Sequence, residues 1–233
     1  MTSSEKLNLA KVIPEPSGSE PLLKITEVFY SLQGESLSVG LPTTFIRLTG
    51  CPLRCGYCDT AYAFRGGTSY SADQLLEKVK GFNTRHICIT GGEPLAQKNV
   101  HGLIQLLCDN GYIVSLETSG AMDVGLVDKR VSIVMDLKTP GSDEVSRNLY
   151  NNIAHLTDKD QIKFVICDRE DYVWARKQVS DRDLSQRVGA VLFSVSVDEL
   201  SFRDLADWIL EDQLPVRFQM QLHKLIWDDE PGR

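Results

Sequence analysis

The sequence predicts an α/β fold in the form of an open, partial parallel β/α barrel, on three observations. Short apolar runs alternate with amphipathic stretches along most of the chain, the pattern of parallel strands joined by right-handed crossover helices. The runs give about six or seven core strands, fewer than the eight that close a barrel. The conspicuous polar residues stand just past strand ends, within 51–60, 90–93, 117–119, 136–138 and 221–224, and parallel α/β sheets hold ligands at that edge. The chemistry is expected on that one rim.

Residues 1–21 carry Pro14, Pro16, Gly18 and Pro21 with few large apolar groups and read as a flexible tail. Residues 22–233 are expected to form a single domain, long enough to bury a full core. Order begins near Leu22 with a short strand through Phe29 and Tyr30, and the glycine-punctuated stretch 31–42 reads as a turn region. FIRLT (45–49) is a strand, followed by a loop with Cys51, Cys55 and Cys58 that Gly50, Pro52 and Gly56 allow to curl. Ser71 with Gln74 three residues on forms a capping box for a helix with Leu75, Leu76 and Val79 on its apolar face, ended by Gly81. HICIT (86–90) is an apolar strand running into GGEP, and Leu103, Ile104 and Leu107 mark a helix closed by Gly111. Strands follow at 113–118 and 131–136, then a polar helix around 146–156, a strand at 162–166 and a helix at 171–179. A strand at 191–197, a helix at 201–211 with Leu205, Trp208 and Ile209 on one face, and a strand at 216–222 complete the series.

The net charge of −7 argues against broad nucleic-acid binding, which depends on neutralising phosphates. No apolar run approaches the ~18 residues of a membrane span, and the opening residues lack the apolar stretch of a signal peptide. A cytoplasmic location is therefore expected, where thiols stay reduced. Six cysteines in that setting point to metal or redox chemistry before disulfides.

Three of them, spaced C-x3-C-x2-C, can converge on one point. A structural zinc site closes with four ligands, and disulfides need pairs. Iron–sulfur clusters are held by thiolates, usually four for a four-iron cluster, so three thiolates leave one iron open to another ligand. Small buried cysteines, or a zinc-held binding module completed by a distant histidine, are the competing readings. Tyr57 stands directly before the third cysteine, and TGGEP ends the next strand, where Gly91 and Gly92 permit close backbone approach to a ligand.

With these residues the chain resembles the radical S-adenosylmethionine superfamily, whose pattern is C-x3-C-x-aromatic-C with GGE on the following strand. The resemblance implies a [4Fe-4S] cluster on Cys51, Cys55 and Cys58, whose open iron is chelated by the amino and carboxylate groups of S-adenosylmethionine. It sets Gly92 and Glu93 near the cofactor amino group, Tyr57, Cys58 and Asp59 along the cofactor, and Thr90 toward the substrate.

Arg47 lies among apolar residues at the active rim. A surface ion pair is the commoner fate of an arginine, but a guanidinium there can also grip a carboxylate bidentately. Asp59 and Thr60 can cap a turn, and a threonine hydroxyl also suits Mg²⁺, which takes few protein ligands. SLQGE (31–35), alone a turn, joins FIRLTGCPLRCGYCDT and the late QLHK (221–224) in a set that resembles the 7-carboxy-7-deazaguanine synthase family, over about residues 25–224. This implies pterin contacts from Leu32, Gln33, Gly34, Glu35, Arg47, Thr90 and His223, with Arg47 fixing substrate orientation. It also implies Mg²⁺ on Thr60, and Asp136, Leu137 and Lys138 at the cofactor carboxylate and ribose. The implied reaction is the radical conversion of 6-carboxy-5,6,7,8-tetrahydropterin to 7-carboxy-7-deazaguanine with loss of ammonia, in queuosine biosynthesis, by a homodimer served by an electron donor such as flavodoxin.

The D-x-K segment and Glu117-Thr118-Ser119 equally resemble glycyl-radical-activating enzymes, the competing enzymatic reading; QGE, CDT and QLHK argue against it. Cys88, Cys108 and Cys167 read as small buried hydrophobes, the first and last within strands. His86, His101 and His155 lack metal-site spacing, and Trp174 and Trp208 read as core or subunit contacts. Two departures stand out: Ser36 replaces the last glycine of the usual QGEG, and LIWDDEPGR (225–233) extends past the His-Lys pair, which puts in doubt a role for the terminal carboxylate.

Overall fold

Strand β2 (Pro42–Leu48), which feeds the cysteine loop, is the pivot of a nine-stranded sheet. In this computed structural model, which describes residues 21–228, 230 and 232, β2 pairs on one side with β4 (His86–Gly91) in parallel. The parallel series continues through β5 (Ile113–Thr118), β6 (Ser132–Asp136), β7 (Gln161–Ile166), β8 (Ala190–Val195) and β9 (Arg217–Gln219). These seven parallel strands form the expected core, and the sheet does not close, because its edge strands β3 (Thr68–Ser71) and β9 are not paired with each other. Apart from Pro21, the expected tail of residues 1–21 lies outside the described residues.

The other side of β2 departs from the expectation. β1 (Leu22–Leu32) is long and antiparallel to β2, with Glu27 opposite Arg47 and Leu32 opposite Pro42, and β3 adds a second antiparallel partner. The loop 33–41 after Leu32 makes this geometry possible, since antiparallel strands need no crossover helix. It also delivers the end of β1 to the N-terminal edge of the parallel strands, away from the cysteine rim.

Side chains alternate across the sheet, as the pleat requires. Ile87 and Ile89, Val114 and Leu116, Ile133 and Met135, and Ile162 and Phe164 pack into one core. The apolar faces of α1 (Ala72–Val79), α2 (Val100–Asp109), α3 (Arg169–Asp181) and α5 (Phe202–Glu211) cover it. The Ser71–Gln74 capping box is present at the start of α1. Trp174 meets Phe164 edge-on and Trp208 lies against Tyr172, so both contribute to this packing.

The polar helix expected at 146–156 is a set of 3₁₀ turns, Val145–Arg147 and Tyr150–His155, after another at Pro140–Ser142. Asparagine side chains account for the difference by bonding loop backbone in place of a helical ladder. Asn152 Nδ2 donates to the carbonyls of Gly120 (3.2 Å) and Met122 (2.8 Å), and its Oδ1 accepts from Val124 N (3.2 Å). A one-turn helix α4 (Leu184–Arg187) was not anticipated, and β9 is shorter than expected because the chain turns at Gln221 into α6 (Leu222–Trp227). Cys167 sits one residue beyond β7 rather than within it.

Candidate active site

The sheet face turned away from the helices opens on a cleft of about 730 Å³. The alternation that builds the core also selects its wall: Arg47, Thr90, Glu117, Asp136 and Lys163 occupy the opposite parity on five adjacent strands and line it. Cys51, Cys55, Tyr57, Cys58, Asp59, Thr60, Gly92 and Lys138 reach the wall from the C-terminal rim. Leu32, Gln33, Gly34 and Glu35 line it from the end of β1, and His223 from α6. The site therefore draws on both edges of the sheet, and the expectation of a single rim is too narrow. Two anticipated residues stay off the wall. Glu93 and Leu137 are fully buried, Leu137 in the core behind the sheet.

The cysteine loop is tied by its own backbone. Gly50, at φ +97°, donates to Ala63 O (2.8 Å), Cys58 N to Cys55 O (3.2 Å) and Ala63 N to Thr60 O (2.9 Å). Arg54 Nη1 donates to the carbonyls of Cys51 (2.8 Å) and Leu53 (2.6 Å), with its guanidinium over Phe64. All three thiols are partly exposed. Burial pushes the Cys51 thiol up and that of Cys55 to about 11, so metal binding must displace their protons. Among the described residues no three Cys, His, Asp or Glu side chains gather tightly enough to hold a single metal ion. Three thiols lining one cleft suit a multi-iron cluster, in which different irons take different thiolates.

Beside the loop, β4 approaches closely enough to exclude side chains. A Cβ on Gly92 would lie 2.4 Å from Gly50 O and 2.7 Å from Cys51 Cβ, and one on Gly91 2.4 Å from Leu48 O. Glu93 N donates to Gly50 O (2.8 Å), locking the two segments together. The Glu93 carboxylate turns inward. It accepts from Leu95 N (2.9 Å), Ser119 N (2.7 Å), Ser119 Oγ (2.5 Å) and Thr118 Oγ1 (2.9 Å), so it joins the ends of β4 and β5.

Asp136 and Lys138 complete this corner. Lys138 Nζ donates to Asp136 Oδ2 (2.8 Å) and lies over the Tyr57 ring. Although burial opposes its charge, Asp136 holds the ammonium protonated. Asp136 Oδ1 and the Tyr57 hydroxyl are buried without partners. Such groups are costly unless satisfied, and here they border a cleft. A cation, a spare carboxylate oxygen and an aromatic ring match the carboxylate, ribose and adenine of S-adenosylmethionine, so the donor set fits that cofactor.

Asp171, buried at the start of α3, supports the segment. Its carboxylate accepts from Thr139 Oγ1 (2.9 Å), Gly141 N (2.8 Å) and Cys167 N (3.1 Å), while Asn148 bonds both backbone groups of Lys138. Asp171→Ala is expected to lower stability by about 2–3 kcal/mol through unsatisfied donors. It should also weaken S-adenosylmethionine binding by roughly tenfold with iron content unchanged. Urea denaturation, equilibrium binding and iron analysis check the three parts.

The other half of the cleft begins at Arg47, whose Nε donates to Glu27 Oε1 (2.7 Å) across the β1–β2 ladder. Tyr62 OH donates to the same oxygen (2.7 Å), and the guanidinium lies between the Phe29 and Tyr62 rings. The arginine is thus ion-paired and still on the cleft wall. Glu117 joins two predicted residues, accepting from Gln33 Nε2 (3.3 Å) and Thr90 Oγ1 (3.0 Å). Gly34 has no room for a Cβ, which would lie 2.1 Å from His223 Nδ1, and its carbonyl accepts from Leu222 N (2.9 Å). Ser36 adopts φ +68°, the conformation for which glycine is favoured. Its N–H donates to Gln219 Oε1 (2.7 Å), which helps hold the strained residue. Of the C-terminal extension, Asp228, Glu230 and Gly232 also reach the wall.

Sequence reading missed Lys163, the Glu27 brace and the aromatic residues Phe29, Phe45 and Tyr62. The signal for Lys163 was present: it is the one charged residue in the apolar run QIKFVI, at the parity that faces the cleft.

Residues 45–151 match the Radical SAM superfamily. The 7-carboxy-7-deazaguanine synthase of Chlorobaculum tepidum is 39% identical over 215 residues, covering 91% of this chain and 97% of the relative. That of Koribacter versatilis is 40% identical over 222 residues, covering 89% and 98%. The crystal structure of QueE from Escherichia coli shares the fold, with a TM-score of 0.69 at 24% identity over 85% of this chain and 94% of that one. Matched over nearly the full length of these relatives, and carrying the cysteine loop and GGE strand in a single cleft, the chain belongs to the 7-carboxy-7-deazaguanine synthase family of radical S-adenosylmethionine enzymes.

Proposed function

We propose that the protein is a Mg²⁺-dependent radical S-adenosylmethionine lyase. It converts 6-carboxy-5,6,7,8-tetrahydropterin to 7-carboxy-7-deazaguanine with release of ammonia, in the queuosine and 7-deazapurine pathway that supplies tRNA modification. The observation that carries this reading is the joining of a cluster loop, a cofactor corner and the Gln33-Gly34-Glu35 turn in one cleft. When bound, the reduced cluster and S-adenosylmethionine supply a 5′-deoxyadenosyl radical for hydrogen abstraction. Cys51, Cys55 and Cys58 hold the cluster. Gly92, Asp136, Lys138, Tyr57 and Asp59 receive S-adenosylmethionine, with Glu93 bracing Gly92 from behind. Arg47 orients the substrate carboxylate, and Gln33, Gly34, Glu35, Thr90 and His223 line the position of the pterin ring, with Leu32 at its edge.

Thr60 is the proposed Mg²⁺ ligand. Thr60 lines the cleft with its Oγ1 3.8 Å from Cys58 Sγ, so a hard oxygen suited to Mg²⁺ stands beside the cluster loop. Thr60→Ala is expected to lower turnover on the order of 100-fold, the few kcal/mol of a Lewis-acid cation. Mg²⁺ dependence should vanish while cluster absorption stays unchanged. Full activity with intact Mg²⁺ dependence removes the assignment.

The catalytic unit is residues 22–233, acting as a cytoplasmic homodimer with an electron donor such as flavodoxin. No described helix is long and apolar enough to cross a membrane. The test is anaerobic reconstitution with iron and sulfide, followed by S-adenosylmethionine and the carboxytetrahydropterin. Ammonia and the deazaguanine acid should appear together. An activase of glycyl-radical enzymes leaves the pterin unchanged, and a zinc-held module takes up no iron.

A further inference from the structure

Lys163 stands on β7 and lines the cleft. Its Nζ is ion-paired with Glu35, and the two side chains are only 14% and 11% exposed. Glu35 comes from the turn after β1, so the pair joins the turn to the parallel sheet. The other Glu35 oxygen accepts from Gln221 Nε2 (2.6 Å), and the Glu35 N–H donates to Gln33 Oε1 (3.2 Å). Both partners line the wall. Resting on the pterin reading above, we propose that Lys163 is a positioning residue for substrate recognition, which fixes the orientation and charge of Glu35 toward the N–H-rich pyrimidine edge of the pterin.

Carboxylates accept paired N–H donors well only when ionised. Burial is the strongest influence on Glu35 and pushes its carboxyl up. Lys163, aided by Gln221 and by His223 from α6, more than offsets this and holds it down to about 2. Lys163 in turn faces Asp136 on β6 and Glu117 on β5 as well as Glu35, and they keep its ammonium charged against the same burial. Without Lys163 the burial influence loses its main counterweight, and the Glu35 carboxyl is expected to move up. The variant then loses its acceptor as pH falls, whereas the native site does not.

The test measures binding of 6-carboxypterin, the redox-stable oxidised analogue, to cluster-loaded protein by calorimetry from about pH 8 to about pH 5.5. Native protein, Lys163→Met, Lys163→Gln and Lys163→Arg are compared, with S-adenosylmethionine affinity measured beside each. Lys163→Met should bind the analogue about 30-fold more weakly at neutral pH and progressively more weakly toward pH 5.5, relative to native protein. Affinity for S-adenosylmethionine should fall far less than affinity for the analogue. Lys163→Arg should restore the native pH profile. Lys163→Gln carries the same expectation as the methionine variant and decides the question if that variant does not fold. His223 is present throughout, so its contribution is common to all four. Native affinity and pH profile in the uncharged variants overturn the role of Lys163 and leave the pterin reading standing. Failure of the native protein to bind the analogue overturns both.

Discussion

Alanine in place of any one of Cys51, Cys55 or Cys58 is expected to give a folded protein with no visible cluster absorption and no detectable turnover. The loop offers three thiols to a cluster that normally takes four protein thiolates, so none is spare. The remaining cysteines, Cys88, Cys108 and Cys167, are buried and belong to the packing of β4, α2 and the end of β7. They are not in a position to substitute. Serine should fail as well, because a hydroxyl does not give up its proton to iron as a thiol does. Iron and sulfide analysis after anaerobic reconstitution, with circular dichroism as the folding control, measures the effect. Alanine at Cys88 or Cys108 supplies the contrast, with full iron content and a stability loss of about 1 kcal/mol. Four irons and normal turnover in any of the three loop variants overturn the assignment.

Glu93→Ala is expected to lower stability by about 4 kcal/mol and the melting temperature by about 10 °C. The carboxylate is wholly buried and receives two backbone N–H groups and two hydroxyls. Removing it strands the N–H groups of Leu95 and Ser119. Glu93→Gln keeps the volume and one oxygen, and should lose about half as much. Both variants should also weaken S-adenosylmethionine binding, because the Glu93 carboxylate ties the end of β4, which carries Gly92, to the end of β5. Thermal denaturation separates this bracing role from direct contact with the cofactor. An unchanged melting temperature with lost cofactor affinity would return Glu93 to the cleft wall.

Helix α6 explains how residues at the far end of the chain enter the site. Gln221 reaches both Glu35 (2.6 Å) and Asp59 (3.5 Å), Lys224 lies 3.8 Å from Asp59, and His223 rests on Gly34. One turn of helix thereby ties the substrate turn to the cluster loop. Beyond the His-Lys pair, Asp228, Glu230 and Gly232 also line the cleft.

The features legible in the sequence are those fixed by local rules. The cysteine spacing, the glycines that curl the loop, the Ser71–Gln74 cap and the apolar alternation of β4 to β8 depend on near neighbours and on periods of about two and 3.6 residues. They were enough for the parallel sheet, the placing of the cysteine loop at the sheet's C-terminal rim and the family. The tertiary structure alone decided that β1 runs antiparallel and carries Gln33, Gly34 and Glu35 in from the opposite edge, because strand direction follows from long-range pairing that no local pattern records. It also decided that the Asn148 and Asn152 segment forms 3₁₀ turns, since its asparagines bond to backbone distant in sequence. The fates of the two most informative carboxylates were settled in the same way. Glu93 and Glu35 each follow a glycine in a short polar turn, and one is consumed inside the fold while the other faces the cleft against Lys163. What separates them is the set of donors the folded chain brings to each, and burial makes those donors obligatory.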